Sequence, residues 1–474
     1  MKVLLLSPPQ EEKMFPSLGI AYIVAMLNKH GQNASLNDGA SMTENEMLKK
    51  VKEVNPELIG ITMNTTNRFE ALSLAEKIKE LLPEVKIMLG GPHPSLLPHQ
   101  ILKNYKFIDF IVRNEGEYST LKLIEALEQG KDLKNVRGIS YRKEDGVIRH
   151  NVPEGTIMNL DKLPFPEWKF FDLKKYCKQV EYPEEFKKYP VGSIISSRGC
   201  PFSCTFCSSS QLWGHRIRYR SAKNVMDEIK MLYNLGIRFF VYNDDNFTAD
   251  KKRAIDICKA MIKEGLHEKM GWQCRAEVNM MNDEILEWMK KANCNMIEFG
   301  VEDCSEEGIK WFKKGHMKGQ VQKAFDLCRK HGIKTKSYFI VGGDHETKEN
   351  VQKKKEYIEQ LNPDITTASI LLAYPGTKIY EDGKEKGLWT DDIWLTKCVG
   401  EKFHSCAPIY TGPNMTYQDL FSASADINYW WGKKKGQYTM KDNIKIAVDM
   451  LKKGDVKKLF SMTTAVLKQK VGIK

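Results

Sequence analysis

Short unbroken apolar runs alternate with amphipathic stretches along two separate lengths of this chain. Strands that are apolar throughout are buried on both faces, and repeated β-α units bury them in a parallel sheet. The first series occupies residues 1–150. It predicts strands at Val3–Leu6, Leu58–Thr62, Val85–Leu89 and Ile108–Val112, and helices at Leu18–His30, Thr43–Val54 and Arg68–Leu82. This is an α/β reading: a doubly wound, Rossmann-like sheet, followed by a hairpin at Gly138–Arg142 and Val147–His150. Residues 151–190, with Leu163-Pro164-Phe165-Pro166, read as a connector. The second series, over 191–390, predicts six strands: Ser193–Ser196, Ile237–Tyr242, Trp272–Arg275, Met296–Gly300, Lys336–Val341 and Thr366–Leu372. Six units make a partial (β/α)6 barrel. Residues 391–474 lose the rhythm and read as a mostly helical, lysine-rich extension. In both β/α architectures ligands bind beyond the carboxyl ends of the strands.

Cys200, Cys204 and Cys207 follow the first strand of the second series, in Ser197-Arg198-Gly199-Cys200-Pro201-Phe202-Ser203-Cys204-Thr205-Phe206-Cys207. Three thiolates are one short of the usual Cys₄ iron–sulfur site, so a cubane held by them keeps one iron open. Zinc is the alternative, with His215 as a fourth ligand, but zinc knuckles usually come in pairs and no second pair stands nearby. The cysteine run, with Phe206 before its third cysteine, resembles the radical S-adenosylmethionine (SAM) superfamily. That resemblance implies a 4Fe–4S cluster on the three cysteines and SAM chelated to the open iron. It implies reductive cleavage of SAM to a 5′-deoxyadenosyl radical. It also implies SAM contacts from Phe206, Asp245, Asn246, Arg275, Glu302, Gly342 and Tyr374, which stand at or near the predicted strand ends. On general grounds Asp244-Asp245-Asn246 is more often a solvated turn, and Arg275 is equally a partner for Glu277.

Ahead of the barrel, Pro16-Ser17-Leu18-Gly19, Gly90-Gly91-Pro92-His93 and Arg113-Asn114-Glu115-Gly116-Glu117 resemble the cobalamin-binding domain of class B radical SAM proteins. The resemblance implies cobalamin contacts from Pro16, Leu18, Gly19, Thr62, Asn64, Gly90, Gly91, Pro92, His93, Glu115, Gly116 and Glu117. A flavodoxin-like or NAD site is the general alternative, but no G-x-G-x-x-G follows Leu6. Asn37-Asp38-Gly39-Ala40-Ser41-Met42 has no histidine where an Asp-x-His-x-x-Gly loop would carry a lower cobalt ligand. Bound cobalamin is therefore expected to lack a histidine beneath it. His93, the one imidazole in the nearby loops, is read as a contact to the corrin or its nucleotide.

The resemblance implies an anaerobic radical C-methyltransferase, using methylcobalamin as donor to a substrate radical. A cobalamin-dependent cyclase or oxidase is the first alternative. A non-catalytic cobalamin sensor is the second, and the intact cysteine triad counts against it. A methylthiotransferase is excluded, because no cysteine precedes Cys177 to hold a second cluster. The expected partners are an external electron donor such as ferredoxin or flavodoxin and a substrate that is a peptide, a lipid or a small metabolite. No stretch nears the ~20 apolar residues of a membrane span, and the start of the chain reads as a strand and not a signal peptide. Eleven scattered cysteines fit a reducing compartment, so the expectation is cytoplasmic. Most of the net charge of +12 comes from twelve lysines between Lys433 and Lys474, set against three aspartates. That leaves no broad surface for nucleic acid. It marks the tail as a solvated cap, with a peripheral membrane or acidic-partner contact as the alternative.

Overall fold

The computed structural model describes residues 1–10, 15–176, 182–396, 403–404 and 407–437. Cys177, Cys398, Cys406 and most of the lysine-rich tail lie outside the described residues.

Five parallel strands form the front sheet in the order β2-β1-β3-β4-β5: β1 Lys2–Ser7, β2 Asn33–Asp38, β3 Leu58–Thr62, β4 Lys86–Gly90 and β5 Phe110–Val112. The hairpin joins the same sheet as antiparallel β6 Ile139–Arg142 and β7 Ile148–His150. Alternate side chains of β1 go to opposite faces. Val3 and Leu5 pack with helices α1 (Leu18–Lys29) and α4 (Gly116–Glu128), whereas Leu4 and Leu6 pack with α2 (Glu44–Val54) and α3 (Arg68–Leu81). The chain turns one way from β1 to β2 and the other way to β3, and a ligand crevice opens at such a switch point.

Six parallel strands form the second sheet, open at one side: β8 Val191–Ile194, β9 Phe239–Tyr242, β10 Gly271–Ala276, β11 Cys294–Glu302, β12 Lys334–Val341 and β13 Ile365–Ile370. Helices α5 (Ala222–Asn234), α6 (Lys251–Lys263), α7 (Asp283–Lys291), α8 (Lys318–Lys330) and α9 (Lys348–Leu361) connect them. The Ser221 hydroxyl caps α5 by accepting from the Asn224 N–H at 3.2 Å. An open parallel sheet exposes unpaired backbone groups along its last strand. Here α10 (Tyr417–Lys434) covers them: Asn428 accepts from the Ala368 N–H at 2.7 Å and donates to its carbonyl at 2.9 Å.

The connector packs on both halves. The Glu167 N–H donates to the Ala21 carbonyl (3.4 Å), and the Trp168 indole donates to Glu228 (3.4 Å). The segment after the barrel returns to the front domain, where Arg68 donates to the Trp394 carbonyl at 3.1 Å. Among the described residues no helix is long and apolar enough to cross a membrane.

Candidate active site

The cysteine loop leaves β8 through Gly199, at φ +103°. A Cβ there would stand 2.5 Å from the Arg216 carbonyl oxygen, so glycine is required. Buried Asp244 holds the approach, accepting from the Ser196 N–H and from the Ser196 and Ser197 hydroxyls, each at 2.6 Å. Cys200, Cys204 and Cys207 are free thiols, and the other described cysteines are buried in the barrel wall. The three Sγ atoms do not gather within 4.8 Å of one another. His215, the fourth ligand a zinc site would take, is exposed to solvent. Burial pushes the Cys200 thiol up to about 11 and the Cys204 thiol up to about 12, the latter opposed by the Lys314 ammonium. Loading metal therefore displaces protons.

Charged groups from three strand ends surround the triad. Asp245, exposed, accepts from the Ser209 hydroxyl at 2.5 Å. Asn246 is buried, accepts from Thr248, and leaves its amide nitrogen without a partner. Arg275 pairs with Glu298 at 3.4 Å, not with Glu277, and Glu298 also accepts from the Tyr338 hydroxyl at 3.1 Å. Glu277 instead binds Lys314 at 2.9 Å. Glu302 is buried at φ +64°, a strained conformation for a side-chain-bearing residue, with Lys314 at 3.8 Å. Burial pushes its carboxyl up to about 7 against the pull of Lys314. His316 is buried with its Nδ1 3.8 Å from Glu277, and among the described residues neither ring nitrogen has a hydrogen bond. Gly342, at φ +130°, donates its N–H to Glu346 at 3.0 Å, and a Cβ there would meet Leu371 at 2.9 Å. Phe206 and Tyr374 line a cavity beside β13.

The mouth thus offers carboxylates (Asp245, Glu302) and cations (Arg275, Lys314), complementary to a ligand carrying both an ammonium and a carboxylate. Sequence reasoning missed Lys314. Its one signal was the basic run Lys313-Lys314-Gly315-His316 past the fourth strand of the barrel. Asp303, His345 and Glu346 also converge within 4.8 Å. The Lys354 ammonium already sits among them, 2.8 Å from Asp303 and bonded to Glu346. Despite burial, that ammonium holds the Asp303 carboxyl well below its usual range. This is an internal ion pair that ties β11 to the end of β12, not a cation site.

In the front sheet a crevice of about 260 Å³ opens at the switch point. Of the expected residues, Gly19, Thr62, Gly90, Gly91, Pro92, Glu115, Gly116 and Glu117 line it, joined by Arg198, Leu212 and Trp213 from the barrel. Glycine makes the space: a Cβ on Gly19 would meet nothing within 4 Å, and one on Gly90 only a carbonyl at 3.7 Å. The volume suits an aromatic nucleoside-sized group and not a whole tetrapyrrole. The residues therefore fit the nucleotide tail of a corrinoid, with no histidine in the lining.

Four expected contacts do not line the crevice. The Pro16 carbonyl accepts from the Leu18 N–H at 2.9 Å at the start of α1, and Leu18 is buried in the core. Asn64 accepts from the N–H groups of Thr66 and Asn67, which makes it a turn former. His93 is only 2% exposed, lies 3.0 Å from the Thr65 hydroxyl and meets the Trp394 ring edge-on at 5.5 Å. Burial, then Arg68, pushes its imidazole down to about 3, and the side chain packs in the core and does not line the crevice. The roles expected of Glu115 and Glu117 also change, because their carboxylates are committed to the barrel. Glu115 takes Arg198 at 2.7 Å and Arg218 at 2.6 Å, and Glu117 takes Arg198 at 2.6 Å. All four side chains are at most 5% exposed. Arg198 lies between the rings of Tyr22 (5.3 Å) and Trp213 (5.4 Å), two residues before Cys200. This buried latch fixes the cysteine loop to the start of α4, and so to the crevice.

Residues 12–124 match the B12 binding domain family, and residues 194–358 match the Radical SAM superfamily. An uncharacterized methyltransferase of Pyrococcus horikoshii is 33% identical over 391 residues, covering 80% of this chain and 83% of that protein. The chain belongs to the cobalamin-binding radical SAM family. The family's cofactors are a 4Fe–4S cluster, SAM and cobalamin, and the donor sets described above fit them. The hopanoid C-3 methylase of Methylococcus capsulatus is 26% identical over 82% of this radical SAM protein and 73% of its own length. The fold is that of OxsB, a cobalamin-dependent SAM radical enzyme solved with aqua-cobalamin bound (TM-score 0.73, 20% identity, 98% of this chain and 71% of that one). The methyltransferase TsrM from Kitasatospora setae shares it (TM-score 0.68, 19% identity, 81% and 75%).

Proposed function

We propose that this protein is a cobalamin-dependent radical C-methyltransferase acting on an unactivated carbon. The observation that carries the reading is the seam: a three-thiol loop and a corrinoid-tail crevice share Arg198, and its buried ion pairs hold one against the other. The relatives of Pyrococcus and Methylococcus support it by name. When bound, the cluster with SAM supplies abstraction of a hydrogen atom, and cobalamin supplies the methyl group that replaces it.

The chain's own part is positioning. Cys200, Cys204 and Cys207 hold the cluster. Asp245 and Asn246 receive the ammonium of SAM, Arg275 and Lys314 take its carboxylate, and Glu302 faces its ribose. Gly342 lets the adenosine approach the backbone. Gly19 and Gly90 would make room for the nucleotide tail, and no histidine is among the described residues that line that crevice. An external one-electron donor of the ferredoxin or flavodoxin kind reduces the cluster, in the cytoplasm. A second reading, oxidative cyclisation, draws on the anaerobic magnesium-protoporphyrin IX monomethyl ester cyclase of Rubrivivax gelatinosus, 28% identical over 78% of this chain.

The test is anaerobic reconstitution with iron, sulfide and hydroxocobalamin, then incubation with SAM, a reductant and candidate substrates. A product heavier by about 14 Da, and by about 17 Da from trideuteromethyl SAM, supports methyl transfer. Protein that keeps its iron but retains no corrinoid rejects it, and a product lighter by two hydrogens transfers the assignment to cyclisation.

A further inference from the structure

The segment that carries the three cysteines has two sides. One faces the front domain, where Arg198, Leu212 and Trp213 line the crevice. The other is covered by residues 311–319, part of the connection from β11 to α8. The Thr205 N–H donates to the Phe312 carbonyl at 3.1 Å, and the Thr205 hydroxyl to the Trp311 carbonyl at 3.3 Å. A Cβ on Gly315 would stand 2.9 Å from the Phe202 ring. This cover therefore lies directly against the chain between Cys200 and Cys207.

Its outer surface carries charge of one sign. Between Glu307 and Asp326 the sequence has five lysines and no acidic residue. Lys314 is buried against Glu277 and Glu302, whereas Lys310, Lys313, Lys318 and Lys323 are exposed. Among the described residues none of these four pairs with a carboxylate. Met317 stands among them at 70% exposure, the most exposed large apolar side chain of the described residues. The fold gains little from this arrangement. Met317 is the N-cap of α8, a position that serine, threonine, aspartate or asparagine would stabilise. Lys318 begins α8, where a cation opposes the helix dipole.

We propose that this face docks a small acidic one-electron carrier protein, the donor that reduces the cluster. Met317 is its apolar anchor, and Lys310, Lys313 and Lys318 are its ring of charge. Such a carrier has to arrive fast, sit against the loop that holds the cluster, and leave once it has given up its electron. Opposite charge steers the encounter, and a single exposed apolar contact suits the small interfaces of electron-transfer complexes. Methionine is fitted to that contact, because its flexible thioether adapts to the surface it meets. The carrier loses one electron and the oxidised cluster gains it, with no proton or further reactant in the balance. The corrinoid crevice lies on the other side of the cysteine loop, so donor and corrinoid do not compete. The proposal rests on the reading that an external donor reduces the cluster, and it is independent of methyl transfer.

The experiment uses the full chain with its cluster reconstituted and no corrinoid added, so that the cluster alone accepts electrons. The probe is a purified acidic flavodoxin. Binding is read from the anisotropy of dye-labelled flavodoxin, and electron transfer from the EPR signal of the reduced cluster. Binding is expected to weaken as salt rises. Lys313→Glu combined with Lys318→Glu is expected to weaken binding, and to slow reduction by flavodoxin, by about tenfold or more. Met317→Ser, which improves the cap of α8, is expected to weaken binding by about threefold to tenfold without loss of stability. Iron content, and reduction by dithionite at high salt where steering is screened, are expected to stay unchanged. Flavodoxin binding and reduction unmoved by the double variant overturn the surface and leave the donor standing. Slow reduction by both reagents, with iron retained, assigns the lysines to the cluster itself and also overturns it. Native protein that dithionite reduces, but that takes no electron from flavodoxin or from an acidic ferredoxin, removes the external-donor reading.

Discussion

The front crevice and the barrel mouth face the same seam but are built in opposite ways. The crevice is space left by missing side chains: Gly19 and Gly90 line it, and the ionisable groups nearby are tied up, with Glu115 and Glu117 in a buried latch and His93 packed against Trp394. The mouth is charge held ready, with Glu302 strained and lifted to about 7, Lys314 between two carboxylates, and His316, among the described residues, without a hydrogen bond. A site made of space fails when it is filled, whereas a site made of charge fails when a partner is removed.

Removing a ligand at the mouth has the largest effect. Cys204→Ala takes the donor set below three, so reconstituted protein is expected to lose its iron and all cleavage of SAM. Corrinoid retention, a property of the other region, is expected to persist within about threefold. Absorbance of the bound corrinoid beside an iron assay reads both, and joint loss of both would show that the regions are not separable.

The latch is where the comparison can be broken. Glu115→Ala leaves buried Arg218 without a carboxylate and Arg198 with Glu117 alone. Removing one partner of a buried pair costs about 3–5 kcal/mol, so the urea midpoint should fall sharply. Arg275→Ala, at a guanidinium 43% exposed, is expected to cost about 1 kcal/mol or less. Equal losses would mean that the seam is no more tightly built than the mouth.

These features were unequally legible in the sequence. Strands that are apolar throughout declared themselves, and Leu58–Thr62 was placed to the residue. The edge strand Asn33–Asp38 was missed, because NASLND offers three strand-averse polar residues and only one buried face. The three cysteines and the glycines lining the crevice were readable because each is a residue type with one dominant reason to be where it is. Lys314, Arg198 and Arg218 were not, since an ion pair between residues 37 to 103 apart leaves no periodic trace. His93 was misread for the same reason, as its neighbour Trp394 lies 301 positions on.

His93 gives a sharper test of the neutral front region. Its imidazole titrates at about 3 when folded, against about 6.5 when unfolded, so between those values the unfolded chain binds the extra proton. The stability it contributes is whole above pH 6.5 and is lost as pH falls through the folded value, at about 1.4 kcal/mol per pH unit. Unfolding free energies from urea titrations at pH 6.5 and 5.5 should differ by about 1 kcal/mol more in the native protein than in His93→Gln. An identical pH dependence in the two would place His93 in contact with water, and the neutral half of the comparison would fall.

The smallest effect separates space from stability within one residue. Gly19 lies in the first turn of α1 at an ordinary helical position, where alanine is preferred over glycine by about 0.5–1 kcal/mol. Its Cβ would touch nothing within 4 Å, so the fold accepts the methyl. That methyl nevertheless projects at the crevice Gly19 lines. Gly19→Ala is therefore expected to raise the urea midpoint and, at the same time, to weaken corrinoid retention about threefold, with iron content unchanged. Opposite signs from a single methyl are what a site defined by its emptiness requires. A variant that gains stability and holds corrinoid as tightly as before would show that the crevice is not where the nucleotide tail sits.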